Sequence, residues 1–187
     1  IQKENGKLCG YYETWRNMLR RCYSDKFLEK NPTYKDCYVC DEWLTFSNFK
    51  SWMEQQDWKN KTLDKDLLDP SNNMYCPEKC IFVDIRINCL FLDAPTKRGE
   101  YMLGVDYRYK EKAYGGNAYQ NPYRACTHEY GNKKQVYIGM FENEFDAHRA
   151  WQKAKIDLAE VLKKEQTDIR IIAGLQRIIN KIQYDCD

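Results

Sequence analysis

Two acids separated by one lysine, Asp64-Lys65-Asp66, open the stretch LDKDLLDPSNNMYCPEKCIFVDIRIN over 63–88. Carboxylates are the oxygen ligands of hard cations and can accept a proton from water, so this spacing can do chemistry. The plainer reading is a solvated strand edge with an ion pair, followed by an Asn that caps or ends a helix. The stretch reads as a short strand, a polar loop with Asn72, Asn73 and Pro77, and a β-rich return at Cys80, Ile81, Phe82 and Val83. A helical turn then ends on Asn88.

A second set of chemically able residues is Cys37-x-x-Cys40 with Cys76-x-x-x-Cys80, the one pairing of the nine cysteines with metal-like spacing. Structural zinc would need both pairs to converge on a tetrahedral site. The alternation at Cys37, Tyr38, Val39 and Cys40 sets the first two thiols on opposite faces of a strand, which favours small buried thiols instead. Nine is an odd number without the framework of a secreted domain, so free thiols in a reducing cytosol are expected.

The elements that must position these groups follow from patterning. The 187 residues suffice for one good core or two small ones. The formal net charge is only +2, so any nucleic-acid contact must come from local patches. No apolar run approaches the roughly eighteen residues of a membrane span. The chain opens on Ile1 rather than Met, which reads as a trimmed start where a targeting segment would not be seen.

Tyr11, Trp15, Met18, Leu19 and Cys22 recur at helical spacing, with Arg16, Arg20 and Arg21 on or beside the solvent side. Those arginines are either simply solvated or contact phosphates, which suit guanidinium forks. A short strand is expected at Tyr38, Val39 and Cys40. A helix then carries Phe46, Phe49, Trp52 and Met53 as an aromatic core stripe, with Thr45 or Ser47 as candidate caps. Residues 93–99 are polar and turn-rich and read as linker.

From Gly104 the period changes to two. Val105 and Tyr107 face one way, and Asp106, Arg108 and Lys110 the other. Tyr123, Ala125 and Thr127 alternate with Arg124, Cys126 and His128; Val136 and Ile138 oppose Gln135 and Tyr137. A helix from about Glu144 is expected to bury Phe145, His148, Ala150, Trp151, Ala154, Leu158, Val161 and Leu162. Three antiparallel strands with one helix leave one sheet face free. A last helix, with Ile169, Ile172, Leu175, Ile179 and Ile182 in line and Asp168 as cap, is apolar enough to need a partner and is expected to pack back on the body, the alternative being pairing with another subunit.

The segment 63–88 resembles the ββα-metal core of the HNH-like endonucleases common in bacteriophage genomes. That resemblance implies one divalent cation, Mg²⁺ or similar, held by Asp64 and Asn88, and a catalytic set of Asp64, Lys65, Asp66 and Asn88. Lys65 stands where the family places its catalytic His, and Lys79 where an orienting Asn is usual. A lysine with an ordinary pKa of about 10.4 is protonated at neutral pH, so Asp66 or the cation itself would have to activate water.

The order GV, YRA, YIGMF and AHRAW in the second half resembles the plant ethylene-response-factor type of DNA-binding domain, in which the free sheet face enters the major groove. It implies Arg108, Lys110, Arg124, His128, Gln135 and Tyr137 as base or backbone readers and Lys133 and Lys134 on phosphates; Arg16 and Arg20, read from the first helix's own patterning, are further candidate DNA contacts. The expected class is α+β. An HNH-like core over 1–95 is followed by a linker over 96–103, a three-stranded sheet and helix over 104–165, and a C-terminal helix over 166–187. The leading expectation is a metal-dependent endonuclease acting on double-stranded DNA in the cytoplasm of a bacterial host cell. The alternative is a nuclease-derived protein without catalysis that binds DNA or a host protein.

Overall fold

The computed structural model describes residues 3–4, 7–90, 100–108, 120–128 and 135–184, with side chains from residue 9 onward. The chain is α+β, and its contacts divide it into two compact units, Ile1–Asp84 and Ile85–Asp187. Among the described residues no helix is long and apolar enough to cross a membrane.

In the first unit, a hairpin of β1 (Lys3–Glu4) and β2 (Lys7–Leu8) precedes helix α1 (Gly10–Tyr23) and the short α2 (Asp25–Leu28). Met18 and Cys22 are the buried residues of α1, and Tyr11, Trp15 and Leu19 pack half-buried beside them. This is the stripe expected from the spacing. Strand β3 (Tyr38–Val39) leads through a 3-10 turn, Asp41–Leu44, into α3 (Phe46–Met53). Phe49 and Met53 of α3 are buried, while Phe46 and Trp52 lie half-buried at the edge of the core. Thr45 occupies the position before α3, but its side chain makes no capping bond. Trp43 in the 3-10 turn is fully enclosed, edge-on to Phe49 with ring centroids 5.0 Å apart. Its carbonyl accepts the Trp15 indole N–H at 2.7 Å, which fixes α1 against the turn.

Strand β4 (Thr62–Asp64) pairs antiparallel with β6 (Ile81–Val83), Leu63 opposite Phe82 and Asp64 opposite Ile81. Between them β5 (Met74–Tyr75) pairs parallel with β3. The division into units falls just after β6, ahead of α4 (Ile85–Asn88). Asp64 and Asn88 therefore belong to different units.

In the second unit, α4 buries Ile87 and is followed by buried Leu90, whose carbonyl accepts the Lys155 ammonium at 3.0 Å. Arg86 and Glu165 pair at 2.7 Å. Of the expected linker, residues 96–99 lie outside the described residues. The rest is tied to α5 (Glu144–Lys164): the Met102 N–H donates to the Glu144 carboxylate, and His148 Nδ1 sits 2.8 Å from the Leu103 carbonyl. Gly104 is required here. Its φ is +80°, and a Cβ would lie 2.0 Å from the Trp151 ring.

Strands β7 (Val105–Tyr107), β8 (Tyr123–His128) and β9 (Gln135–Phe141) form an antiparallel sheet in that order. A register shift interrupts the β8–β9 pairing between Ala125 and Cys126. Helix α5 covers one face of the sheet, capped by Asn143, whose Oδ1 accepts the Asp146 N–H at 2.9 Å. The buried line of α5 corrects the expected one. Phe145 and Val161 are half exposed, and Ala147, His148, Trp151, Lys155, Ala159 and Leu162 are inside. Lys155 holds an inward position because its stem packs while its ammonium finds the Leu90 carbonyl.

Helix α6 (Ile169–Tyr184) packs on α5 through Ile171, Leu175, Ile179 and Ile182. The bonds Gln152 Nε2 to Ile182 O and Lys163 Nζ to Gln176 Oε1, both 2.8 Å, show that the two helices run antiparallel. Asp168 Oδ1 accepts the Arg170 N–H at 2.8 Å, so the expected cap is in place.

Candidate nucleic-acid interface and acidic loop

Two places carry the candidate residues, one in each unit. The first is the loop after β4. Asp64 turns its carboxylate back on the chain, and Oδ1 accepts the N–H groups of Asp66 at 2.8 Å and Leu67 at 2.6 Å. Burial pushes the Asp64 carboxyl above its ordinary value, and those two N–H donors oppose the rise. Its first job is therefore structural: it closes the turn.

Lys65 is buried. Its ammonium donates to Asp66 Oδ1 at 2.5 Å and to the Asn72 carbonyl at 3.0 Å, and lies 5.9 Å from the Tyr34 ring centroid. Burial alone would lower its pKa, but the Asp66 carboxylate more than compensates and the balance is upward. A lysine held charged in this way has no lone pair for general-base work. The proton-accepting role is not open to Lys65.

Asn72 is the residue that sequence reading undervalued. Its side-chain amide donates to the Lys65 carbonyl and the Met74 carbonyl, each at 2.9 Å, and its Oδ1 accepts the Met74 N–H at 3.0 Å. All three bonds are to backbone, and Asn72 is itself buried. It therefore orients residue 65 from across the loop. Arg21, placed beside the solvent face of α1 in sequence, is half-buried, with Tyr75, Tyr34 and Asp64 nearby. Arg16 and Arg20 are exposed, and Arg20 lies over the Phe27 ring at 5.5 Å. The arginine turned toward the acidic loop is thus Arg21.

A hard cation suits carboxylate oxygen. Within the first unit Asp64 is the donor of the expected pair, while Asp66 is engaged with Lys65. No three His, Cys, Asp or Glu side chains gather as metal donors among the described residues. Cys37 and Val39 point inward, Tyr38 outward with Cys40 half-buried, matching the expected alternation. Burial pushes the Cys37, Cys40, Cys76 and Cys80 thiols up, and none of these four is in a disulfide.

The second place is the sheet face bearing Asp106. Asp106 and Arg124 are cross-strand partners, and the carboxylate accepts Arg124 Nε at 2.9 Å and Nη2 as well. Arg108 Nε reaches the other carboxylate oxygen at 3.2 Å. Arg124 Nη2 also donates to Gln135 Oε1 at 3.0 Å, and the Cys126 thiol lies 3.8 Å from Asp106. Three of the expected readers, Arg108, Arg124 and Gln135, are thus joined on one surface. The Asp106 bonds hold the Arg124 guanidinium above its ordinary pKa against the cost of burial. His128 and Tyr137 are exposed on β8 and β9, Tyr137 by 61 %. Lys110, Lys133 and Lys134 lie outside the described residues. His148 is buried and stacked on Trp151, a packing histidine. No family model matches the chain, and neither the curated proteins nor the solved structures compared with it contain a significant match.

Proposed function

We propose that the chain binds double-stranded DNA through the β7–β8–β9 face, on a scaffold of the HNH-like nuclease type. The supporting observation is the joined set Arg108, Asp106, Arg124 and Gln135. Two guanidinium groups and an amide are held on an otherwise open sheet face, beside exposed Tyr137 and His128. Guanidinium forks match guanine edges and phosphates, and a side-chain amide matches adenine. A β-ribbon is narrow enough for the major groove. The test is duplex affinity across a salt series. Binding that weakens as salt rises supports phosphate contact, and affinity indifferent to salt removes it.

Phosphodiester cleavage is the second reading. It is favoured by the order β4, loop, β6, α4, and by the fact that both turn-closing bonds of Asp64 fall on Oδ1. Asp64 would offer its other carboxylate oxygen to the cation, which when bound stabilises charge on the phosphate and leaving oxygen. Asn72 and the Lys65–Asp66 pair hold the turn that aims Asp64. Asp66, whose carboxylate is exposed, is the remaining acid for the water proton. Supercoiled plasmid incubated with Mg²⁺ or Mn²⁺ beside Asp64→Ala decides it: equal survival of the plasmid with both proteins sinks cleavage. Zinc on Cys37, Cys40, Cys76 and Cys80 is a separate proposal, answered by metal analysis of the purified protein.

A further inference from the structure

Asp106 is a carboxylate in the middle of a face proposed to meet a polyanion. Its placement is not incidental. It pairs in register with Arg124, accepts two of that guanidinium's nitrogens, and takes Arg108 on its other oxygen. Arg124 is further fixed by Gln135, so its side chain is held across three strands. Two positive charges and one negative leave this cluster at about one net positive charge where it would otherwise carry two. We propose that Asp106 is a specificity-determining residue. It withholds charge from unselective phosphate binding and fixes the direction in which Arg124 and Arg108 can donate.

This rests on the DNA-binding reading of the sheet face. Two kinds of contact compete on this face. Phosphate attraction is independent of sequence and grows with each uncompensated cation. Base reading depends on a guanidinium presented at a fixed angle. A carboxylate that holds the fork lowers the first and sharpens the second. It also discourages close approach to phosphates, since like charges repel at short range.

The experiment measures binding of a random-sequence duplex pool across salt, and the bias of the duplexes selected from that pool, for the full chain and two variants. Asp106→Asn keeps the shape and removes the charge. Gln135→Glu adds a second carboxylate within reach of Arg124. Asp106→Asn is expected to bind the pool roughly threefold or more tighter at low salt. Its log–log salt slope should be steeper by about 0.9 and its selected sequences less biased. Gln135→Glu is expected to shift affinity and slope the opposite way; should Asp106→Asn fail to fold, Asp106→Ser removes the same charge, and an unchanged slope and bias there overturns the role equally. If wild type binds DNA but Asp106→Asn keeps the same slope and bias, or binds every duplex more weakly, the role of Asp106 is overturned and DNA binding stands. If wild type binds no duplex even at low salt, both fall.

Discussion

At the scale of single residues, the acidic loop is an example of side chains serving the backbone first. Asn72 spends its amide and its carbonyl oxygen on three main-chain groups while buried. Removing it leaves two carbonyls and one N–H without that partner inside the protein. Asn72→Ala is therefore expected to cost about 2–3 kcal/mol in a urea melt of the first unit. The exposed neighbour, Asn73→Ala, should stay within about 0.5 kcal/mol. Equal effects at the two positions would show that the loop is not held as described. The Asp-Lys-Asp pattern was visible in the sequence, and so was the choice between ion pair and catalysis. What could not be seen was that Lys65 turns inward to a carbonyl seven positions away, because that depends on how the loop closes. For the same reason Asn72 looked like an ordinary loop residue, and Arg21 one more arginine on a polar face.

At the scale of elements, periodicity located the α1, α3, β7–β9, α5 and α6 segments because each is long enough for the period to show. It missed the parallel pairing of β3 with β5, since two-residue strands carry no period. It also misjudged α5, where Lys155 takes an inward position through a bond to a distant carbonyl. Burial pulls the Lys155 pKa down, with the Cys89 thiol working the other way. The unfolded chain keeps that proton up to about pH 10.4 while the folded chain releases it earlier. Between those two values the unfolded state binds more protons, so this group's contribution to stability rises with pH. The stability of wild type relative to Lys155→Met is expected to climb from neutral pH toward pH ~10, read from urea midpoints. A gap that stays constant would show that the amine titrates normally. Gly104 offers a sharper test of the same region. With φ at +80° and a Cβ 2.0 Å from Trp151, Gly104→Ala must strain the backbone and displace the indole. The expected loss is at least about 3 kcal/mol for the second unit. An alanine variant that melts like wild type would refute that close approach.

At the scale of the whole molecule, 30 basic residues against 28 acidic ones leave almost no long-range pull toward DNA. The proposed binding would therefore have to come from where charges are placed, chiefly on the open sheet face of the second unit. Alternation in the sequence placed Arg108, Arg124, Gln135 and Tyr137 on one face, which the structure reproduces. The ion pairs among them depend on strand register and could not be read ahead of it. The most direct test of the account is duplex affinity between about 50 and 200 mM salt, for wild type and for the double variant Arg108→Ala with Arg124→Ala. Wild type should lose affinity steeply as salt rises. The double variant should bind more weakly at low salt, with a log–log slope shallower by roughly 1–2. Wild-type binding that ignores salt, or a double variant indistinguishable from wild type, would contradict DNA recognition by this face.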